Sequence, residues 1–505
     1  MKKNVVLVFD CGSTNIRVAA VDEKGNIVAQ KSKSNAPIQQ PNGKPGWLIW
    51  DIDEIWNKLC LLTHEVLSIL KDRYSVKAVT VTTWGADGAL VRKDGSLVYP
   101  AISWQCPRTK EIAQELPKLM DPWEIFRITG YQIIYFNTLL KLIWLRRYAP
   151  NVFKEAYTWL MMPGLIAYRL TGVFHIDPTS ASTMMAMDLG KRDWSVDMLS
   201  LANLDASFFP PWKEPGDIVG YITQKAHNDT GLPENLPVVV SGHDTQFAIM
   251  ASGIKGSEAV LSSGTWEILG LRMDSYKPNK VAFEEGVIIE ADVKPGMWNP
   301  QLLMIASAVL EWIRKYLYPE LKPGEYEVMI NEARRIPPGS NGVFVIPSFV
   351  TDSGPTKKYF TRGTMLGLSL LSSRAHIYKS TLEGLSYQLR LALEILEKAF
   401  NIKIKCIRVV GGGSKNNLWN EIRADITGIP ILITGFSEAT VLGAALTAFT
   451  GIGIFNSLNE ALNSIQWNIR IFSPSNNKFI YDKLYNKIYK EALQVLKQLY
   501  QKWYV

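Results

Sequence analysis

Four times in this chain a short apolar run stops at a loop of glycine and small polar residues. Val5-Val6-Leu7-Val8-Phe9 leads into Asp10-Cys11-Gly12-Ser13-Thr14. Leu236 to Ser241 leads into Gly242-His243-Asp244-Thr245. Ala259 to Leu261 leads into Ser262-Ser263-Gly264-Thr265, and Ile404 to Val410 into Gly411-Gly412-Gly413-Ser414. Apolar runs of this length, bounded by turn residues, read as buried strands. Helical periodicity lies between them, from Asp53 to Leu70 and again after Gly413, where Leu418, Ile422 and Ile426 share one side. The alternation predicts an α/β fold, and its occurrence in both halves predicts two related domains. No tandem repeat of about 20–50 residues is present. The expected boundaries are 1–250, 251–465 and a basic helical extension over 466–505, with the main break around Ala251 to Gly256.

Local signals fill in this outline. Ile16 to Val21 and Ile27 to Gln30 flank Asp22-Glu23-Lys24-Gly25-Asn26, a hairpin with glycine in its turn. Arg92-Lys93-Asp94-Gly95-Ser96 predicts a second hairpin, between Ala89-Leu90-Val91 and Leu97-Val98-Tyr99. Val76 to Thr83 is β-branched and strand-like.

Composition removes several classes. The 505 residues are 47% hydrophobic and 20% charged, a globular balance that excludes disorder for the whole chain. No apolar run reaches the ~18 residues of a membrane span, so no membrane partner is expected. The five apolar residues after Asn4 are too few for the ~7–15 of a signal-peptide core. Cys11, Cys60, Cys106 and Cys406 lie far apart and fit neither a disulfide framework nor a zinc site, so a reducing cytoplasm is the expected compartment. The net charge of +8 is dilute, although basic residues outnumber acids from Arg470 onward. Such a tail could touch nucleic acid. Ile480, Leu484, Ile488, Ala492, Val495 and Leu499 recur at helical spacing with lysines between them, which favours an amphipathic helix and no nucleic-acid partner.

The loops carry the chemistry. In the first, Gly12 admits an anion close to backbone, and Ser13 and Thr14 add donors. Arg17 offers fixed positive charge to phosphate oxygens. Asp10 can hold Mg²⁺ directly or through water. The same residues also make an ordinary hairpin turn, and they form neither a Walker loop nor a GxGxxG fingerprint. Gly264 and Thr265 suit a second phosphate clamp or a simple strand-end turn. Gly411, Gly412 and Gly413, between a strand and a helix, clear side chains from a surface on which a base or phosphate can lie. Asp244 can accept a proton from a hydroxyl or cap the helix after it. Trp84-Gly85-Ala86-Asp87, with Trp104 and Arg108 behind, suits a polyol or a buried bend. A phosphate cradle, a second clamp, a glycine platform and a lone carboxylate are together the parts of phosphoryl transfer.

Two longer stretches carry a family resemblance. Phe136-Asn137-Thr138-Leu139-Leu140-Lys141-Leu142-Ile143-Trp144-Leu145-Arg146-Arg147 resembles the first signature of the FGGY carbohydrate kinases, with Tyr148 departing from it. Gly363-Thr364-Met365-Leu366-Gly367-Leu368, followed after seven residues by His376-Ile377-Tyr378-Lys379-Ser380-Thr381-Leu382-Glu383, resembles the second signature throughout. The resemblance covers roughly 4–470. Within the family, Val81 to Val91, Tyr99 to Thr109, Gly242 to Ala248 and Leu261 to Leu269 look most like the L-fuculose-phosphorylating branch.

This resemblance implies two actin-like, ribonuclease H-like ATPase domains with the active site in the cleft between them. It implies ATP and Mg²⁺ as cofactors and a small-molecule ketose as substrate, and it leaves a homodimer open. It implies that Asp10 organises Mg²⁺, that Gly12, Ser13, Thr14 and Arg17 hold phosphates, and that Thr265 meets the transferred phosphoryl group. Gly411 to Gly413 would line the nucleotide side, and Asp244 would be the general base. Gly85, Asp87, Phe136, His243 and Thr245 would line the sugar pocket. Phe136 replaces a tyrosine of glycerol kinases, which argues against glycerol. Kinases of rhamnulose, ribulose or xylulose, and a catalytically silent sugar-binding regulator, are the alternatives on the same fold.

Overall fold

The computed structural model describes residues 2–350, 357–359, 361–436 and 438–503, so the last two residues of the basic tail lie outside the described residues. Strands β1 (Lys3–Cys11), β2 (Asn15–Asp22) and β3 (Ile27–Ser34) form an antiparallel meander. The Asp22 carboxylate accepts from the N–H groups of Lys24 (3.0 Å) and Asn26 (2.9 Å), which sets the predicted β2–β3 turn. Helix α1 (Ile52–Leu70) starts where the Asp51 side chain accepts from Asp53 N and Glu54 N. It buries Ile55, Leu59, Leu62 and Val66 against the sheet. Strand β4 (Tyr74–Thr83) runs parallel to β1. Helix α2 (Thr138–Tyr148) follows, then β5 (Ile218–Tyr221), β6 (Pro237–His243) and helix α3 (Asp244–Ala251). The sheet order is β5-β6-β4-β1-β2-β3.

The second hairpin forms only in part. The turn at Arg92 to Ser96 is made, but Leu97 gives one isolated bridge to Val91. Gly88–Val91 pairs instead with Thr158–Met161. Pro100, which has no N–H, stands where the second arm would continue.

The second half repeats the plan. Strands β7 (Glu258–Ser263), β8 (Trp266–Gly270), β9 (Ile288–Ala291) and β10 (Trp298–Ile305) are joined antiparallel. Helix α4 (Arg374–Phe400) precedes β11 (Cys406–Val410), and α5 (Asn417–Thr427) precedes β12 (Ile431–Ile433). Strand β11 adds parallel to β7, and β12 adds parallel to β11. Helix α6 (Ala439–Gly451) and the antiparallel edge strand β13 (Arg470–Phe472) complete the order β9-β10-β8-β7-β11-β12-β13.

Helices α3 and α6 form a layer shared by the two sheets. Val441, Ala444, Ala445 and Ala448 of α6 pack on Val6, Val8, Ala19 and Val239 of the first sheet. Ala248, Ile249 and Ala251 of α3 pack near Val260 and Val410 of the second. A Cβ on Gly443 would stand 2.3 Å from the Phe247 carbonyl oxygen, so glycine is what lets these helices touch.

The stretch from 466 is no appendage, because β13 is an edge of the second sheet. Helix α7 (Lys478–Leu484) packs beside α5, and it and the following turn to Tyr489 bond to α4; helix α8 (Lys490–Trp503) continues from that turn. Of the aliphatic stripe only Leu484 and Ala492 pack partly against the core, whereas Ile480, Ile488, Val495 and Leu499 are 44–57% exposed. The docked side is Tyr481, Tyr485, Tyr489, Leu493 and Leu496. Tyr481 donates to the buried Glu383 carboxylate of α4 (2.9 Å), and Tyr485 stacks on Tyr387. Tyrosines combine a large apolar body with a hydroxyl that needs a partner, and α4 supplies both surfaces. Among the described residues no helix is long and apolar enough to cross a membrane.

Candidate active site at the strand ends

The parallel strands of each sheet end together. Cys11 lies opposite Thr83, and Thr83 opposite His243, so the loops after β1, β4 and β6 leave the same edge. In the second sheet Ser262 lies opposite Val410, which brings the loop at Gly264 beside the glycines at 411–413. The carboxyl ends of strands in open α/β sheets are where ligands bind.

The first loop is held from behind. Asn35 donates its side-chain amide to Gly12 O (3.0 Å) and its backbone N–H to Thr14 O (2.8 Å). A Cβ on Gly12 would stand 2.9 Å from Asn15 O. Ser13 is half-buried and Thr14 exposed. Arg17 is already paired, with Glu438 immediately before α6. It can hold a phosphate only by sharing or exchanging that partner. Burial raises Asp10 to about 7; Arg17 opposes the shift, and the nearby Asp244 and Glu438 add to it. Asp10 therefore feels one guanidinium and two further carboxylates, Asp244 from its own half and Glu438 from the other.

The second-half loops border a cavity of ≈ 730 Å³ lined by Gly264, Thr265, Tyr326, Gly412, Gly413 and Trp419, among others. Gly411 has φ +86°, and a Cβ there would stand 2.6 Å from Ser263 O. Gly412 has nothing within 4 Å of such an atom, leaving bare backbone toward open space. Behind the loops lies a buried ion pair that the sequence reading missed. Arg423 pairs with Glu267, donates to Ser263 Oγ (2.8 Å) and to Asn420 Oδ1 (2.9 Å), and stacks 3.6 Å over Trp419. Ser263 Oγ in turn donates to Glu267 (2.7 Å). One network thus ties β7, the glycine loop and α5 together. Gly411→Ala is expected to cost about 1–3 kcal/mol of stability, from the left-handed φ and the backbone clash, and to raise KM for nucleotide more than KM for sugar. An unchanged melting curve with an unchanged nucleotide KM would show that the loop tolerates the side chain.

The loops of the first half converge on His243. A Cβ on Gly85 would stand 3.1 Å from His243 Nε2 and 2.7 Å from Thr183 Cγ2, which explains the glycine. Ala86 sits at φ +66°, held by Thr183 Oγ1 on its N–H (2.7 Å) and by Thr138 Oγ1 and Lys141 Nζ on its carbonyl (both 2.8 Å). Phe136 is half-buried, edge-on to Trp104 with centroids 6.2 Å apart. Asp244 is no helix cap: its Oδ1 accepts from the adjacent Thr245 N (2.6 Å) and Thr245 Oγ1 (3.3 Å), and the helix start has no side-chain cap. Among the described residues no hydrogen bond reaches Asp244 Oδ2, and the side chain is 28% exposed. Burial raises the Asp244 carboxyl above its ordinary value, and His243 opposes the shift.

Asp87, expected to line the sugar pocket, is instead fully buried. Oδ2 accepts from Trp50 Nε1 (2.6 Å), Trp84 Nε1 (2.8 Å) and Trp104 N (3.0 Å), while Oδ1 is paired with Lys141. Enclosed by these four contacts and without exposed surface, Asp87 is out of reach of a sugar hydroxyl and holds the loop from beneath. Arg108 is likewise enclosed, donating to Tyr99 OH (3.2 Å) and Gln40 Oε1 (2.7 Å) beside Trp47. Lys141 had a legible signal: a lone lysine inside Leu139 to Leu145 needs a buried carboxylate. Glu290, which accepts from His243 Nδ1 (3.1 Å), had none.

Known proteins resemble this chain in sequence and fold. Residues 5–251 match the N-terminal domain of the FGGY family of carbohydrate kinases, and residues 259–452 match its C-terminal domain. The chain is 38% identical over 475 residues to L-fuculokinase of Escherichia coli (strain K12), covering 94% of this chain and 98% of that one. It is 25% identical over 494 residues to autoinducer-2 kinase of Yersinia pseudotuberculosis serotype O:3 (strain YPIII), covering 94% and 92%. The crystal structure of xylulose kinase from Rhodospirillum rubrum superposes with a TM-score of 0.85 at 23% identity over 98% of this chain and 99% of that one, a likeness of fold.

Proposed function

This chain belongs to the FGGY family of carbohydrate kinases and is an ATP-dependent sugar kinase, and from that premise we propose that it phosphorylates L-fuculose at its C1 hydroxyl. The near-full-length likeness to L-fuculokinase carries the substrate. The boundaries 1–250 and 251–465 are the domains we assign, and a reducing cytoplasm is the compartment, consistent with four unpaired cysteines.

In this reading Asp244 Oδ2 accepts the proton of the C1 hydroxyl as its oxygen attacks the γ-phosphorus. The bond from that phosphorus to the bridging oxygen breaks, and its electron pair leaves with ADP. Gly264 and Thr265 receive the phosphoryl end of the nucleotide, and Gly411 to Gly413 face the remainder. Gly12, Ser13 and Thr14 close on the phosphates from the other half. His243, Thr245 and Gly85 border the sugar, and Trp104 and Phe136 offer apolar faces to its C–H edges and methyl group. The excess of carboxylates around Asp10 fits a divalent cation. Among the described residues no His, Cys, Asp or Glu cluster could hold one alone, which suits Mg²⁺ carried in by phosphates and water, with Asp10 as its protein contact. When bound, Mg²⁺ supplies charge neutralisation on the phosphate oxygens.

Burying the sugar's methyl group contributes roughly 0.8 kcal/mol, whereas a buried polar group left unmatched costs ~1–3 kcal/mol. Hydroxyl pattern should therefore discriminate more than the methyl. In a coupled ADP-release assay, kcat/KM for L-fuculose is expected to exceed that for L-rhamnulose, D-ribulose, L-ribulose, D-xylulose, autoinducer-2 and glycerol by at least ~10-fold. A higher value for any other acceptor would replace L-fuculose as the substrate.

A further inference from the structure

Glu290 lies on β9, the edge strand of the second sheet, yet its carboxylate is 1% exposed and takes hydrogen bonds from the first half. Oε1 accepts from Tyr131 OH (2.5 Å). Oε2 accepts from His243 Nδ1 (3.1 Å) and from Gln246 Nε2. Gln246 is fixed in turn by Asn299 Nδ2, which donates to its Oε1 (2.5 Å), and Asn299 is the register partner of Glu290 on β10. The His243 backbone N–H is held by Thr179 Oγ1 (2.9 Å). Backbone and Nδ1 being fixed, the other ring nitrogen has one direction left. Nε2 stands 3.4 Å from Asp244 Oδ1, beside the space that Gly85 leaves open.

We infer that Glu290 is a positioning residue for phosphoryl transfer, locking the His243 ring from the opposite half so that Nε2 faces Asp244 and the sugar pocket. This rests on the reading of Asp244 as the base. The charged groups facing His243 are Glu290 from β9, Asp244 from α3 and Asp177 from the start of the helix Pro178–Ser182. Burial alone would push the imidazole down, but Glu290 first, then Asp244 and Asp177, carry it up to about 9. At neutral pH the ring is an imidazolium, and Nε2–H is a donor toward Asp244 and the sugar. Without the Glu290 charge, burial prevails. The ring is then neutral, keeps its proton on Nδ1, and presents a lone pair at Nε2. The same device makes Asp244 a better base candidate at pH 7, because the adjacent cation opposes the rise that burial imposes on its carboxyl.

The test is E290Q in the full-length chain, an isosteric change that removes the charge: the amide oxygen can still accept from His243 Nδ1 and Gln246 Nε2, while its NH2 donates to the Tyr131 hydroxyl oxygen, reversing that contact. The chain has five histidines, so imidazole signals of protein labelled at the histidine ring carbon can be assigned with H243Q. In wild type, His243 is expected to titrate near 9. In E290Q it should titrate at or below about 6.5, the ordinary value. Sugar kcat/KM at pH 7.5 should fall at least ~10-fold while KM for ATP changes less than ~2-fold. E290Q/H243Q should lose no more than H243Q alone, since Glu290 acts through the ring. A His243 titration unmoved in folded E290Q, or unchanged sugar kinetics, overturns the proposal. Should E290Q not fold, a wild-type His243 titrating at or below about 6.5 overturns it equally. If instead Asp244→Asn retains turnover while E290Q shifts His243 and the sugar kinetics, the assignment of the base fails and the positioning role stands.

Discussion

In an Asp244→Asn variant, kcat falls by at least ~10²-fold, the low end for loss of a general base, while the melting temperature and ATP affinity keep their wild-type values. The structure explains why so large a kinetic effect can come with so little structural cost. All three neighbours of the carboxylate fall on Oδ1: Thr245 N, Thr245 Oγ1 and His243 Nε2. An asparagine carbonyl can accept from each of them. What changes is the accessible position of Oδ2, where an amide donates and takes no proton. Turnover within a few-fold of wild type in a folded variant removes Asp244 from the mechanism. A parallel loss of melting temperature would make it a structural residue of the α3 start.

The largest effect on stability is expected at Asp87. Asp87→Ala is predicted to cost about 3–5 kcal/mol, the usual consequence of removing one member of a buried ion pair, read as a shift of the urea midpoint. Lys141 is 1% exposed, and its ammonium keeps only the Ala86 carbonyl once the carboxylate is gone. Burial already lowers its pKa, with Asp87 opposing the shift, so the variant leaves a cation that must either shed its proton or bring in water. The Nε1–H groups of Trp50 and Trp84 lose their acceptor as well. D87N/K141M keeps an acceptor for the tryptophans and removes the charge from both sides, so it should recover most of the loss. A midpoint unchanged in Asp87→Ala would mean that the four contacts to this carboxylate contribute little. A double variant as unstable as the single one would mean that neither the broken ion pair nor the tryptophan acceptor accounts for the cost.

These two aspartates mark how far the sequence could be read. Strand ends are local: β-branched runs, glycine and small polar residues announce them, and they lie where the periodicity places them. Asp10, Gly12, Asp244, Gly264 and Gly411 all sit on such ends. Which way a side chain points is decided by partners far along the chain, and Asp87 met Trp50, Trp104 and Lys141. Glu290 is 47 residues from His243 and stands in a strand without a motif. The C-terminal helix failed for another reason. Counting aliphatic residues selects Ile480, Ile488 and Val495, whereas the docked face consists mainly of tyrosines, two of which, Tyr481 and Tyr485, donate to carboxylates on α4.

The contact between α3 and α6 has a mechanical consequence. At Gly443 the backbones approach so closely that no methyl group fits between them, and the side chain nearest that point is the methyl group of Ala251. A crossing centred on a glycine and an alanine does not interdigitate deeply, so the helices can roll over one another there without lifting apart. The layer is then a fulcrum, with each sheet as a lever arm and the loops at the strand ends as the tips. A few degrees of rotation, too little to disturb packing at the crossing, becomes ångströms of travel where nucleotide and sugar must meet. A bulky residue at 443 would act as a wedge beneath the levers and hold the jaws apart, even though every loop kept its own shape.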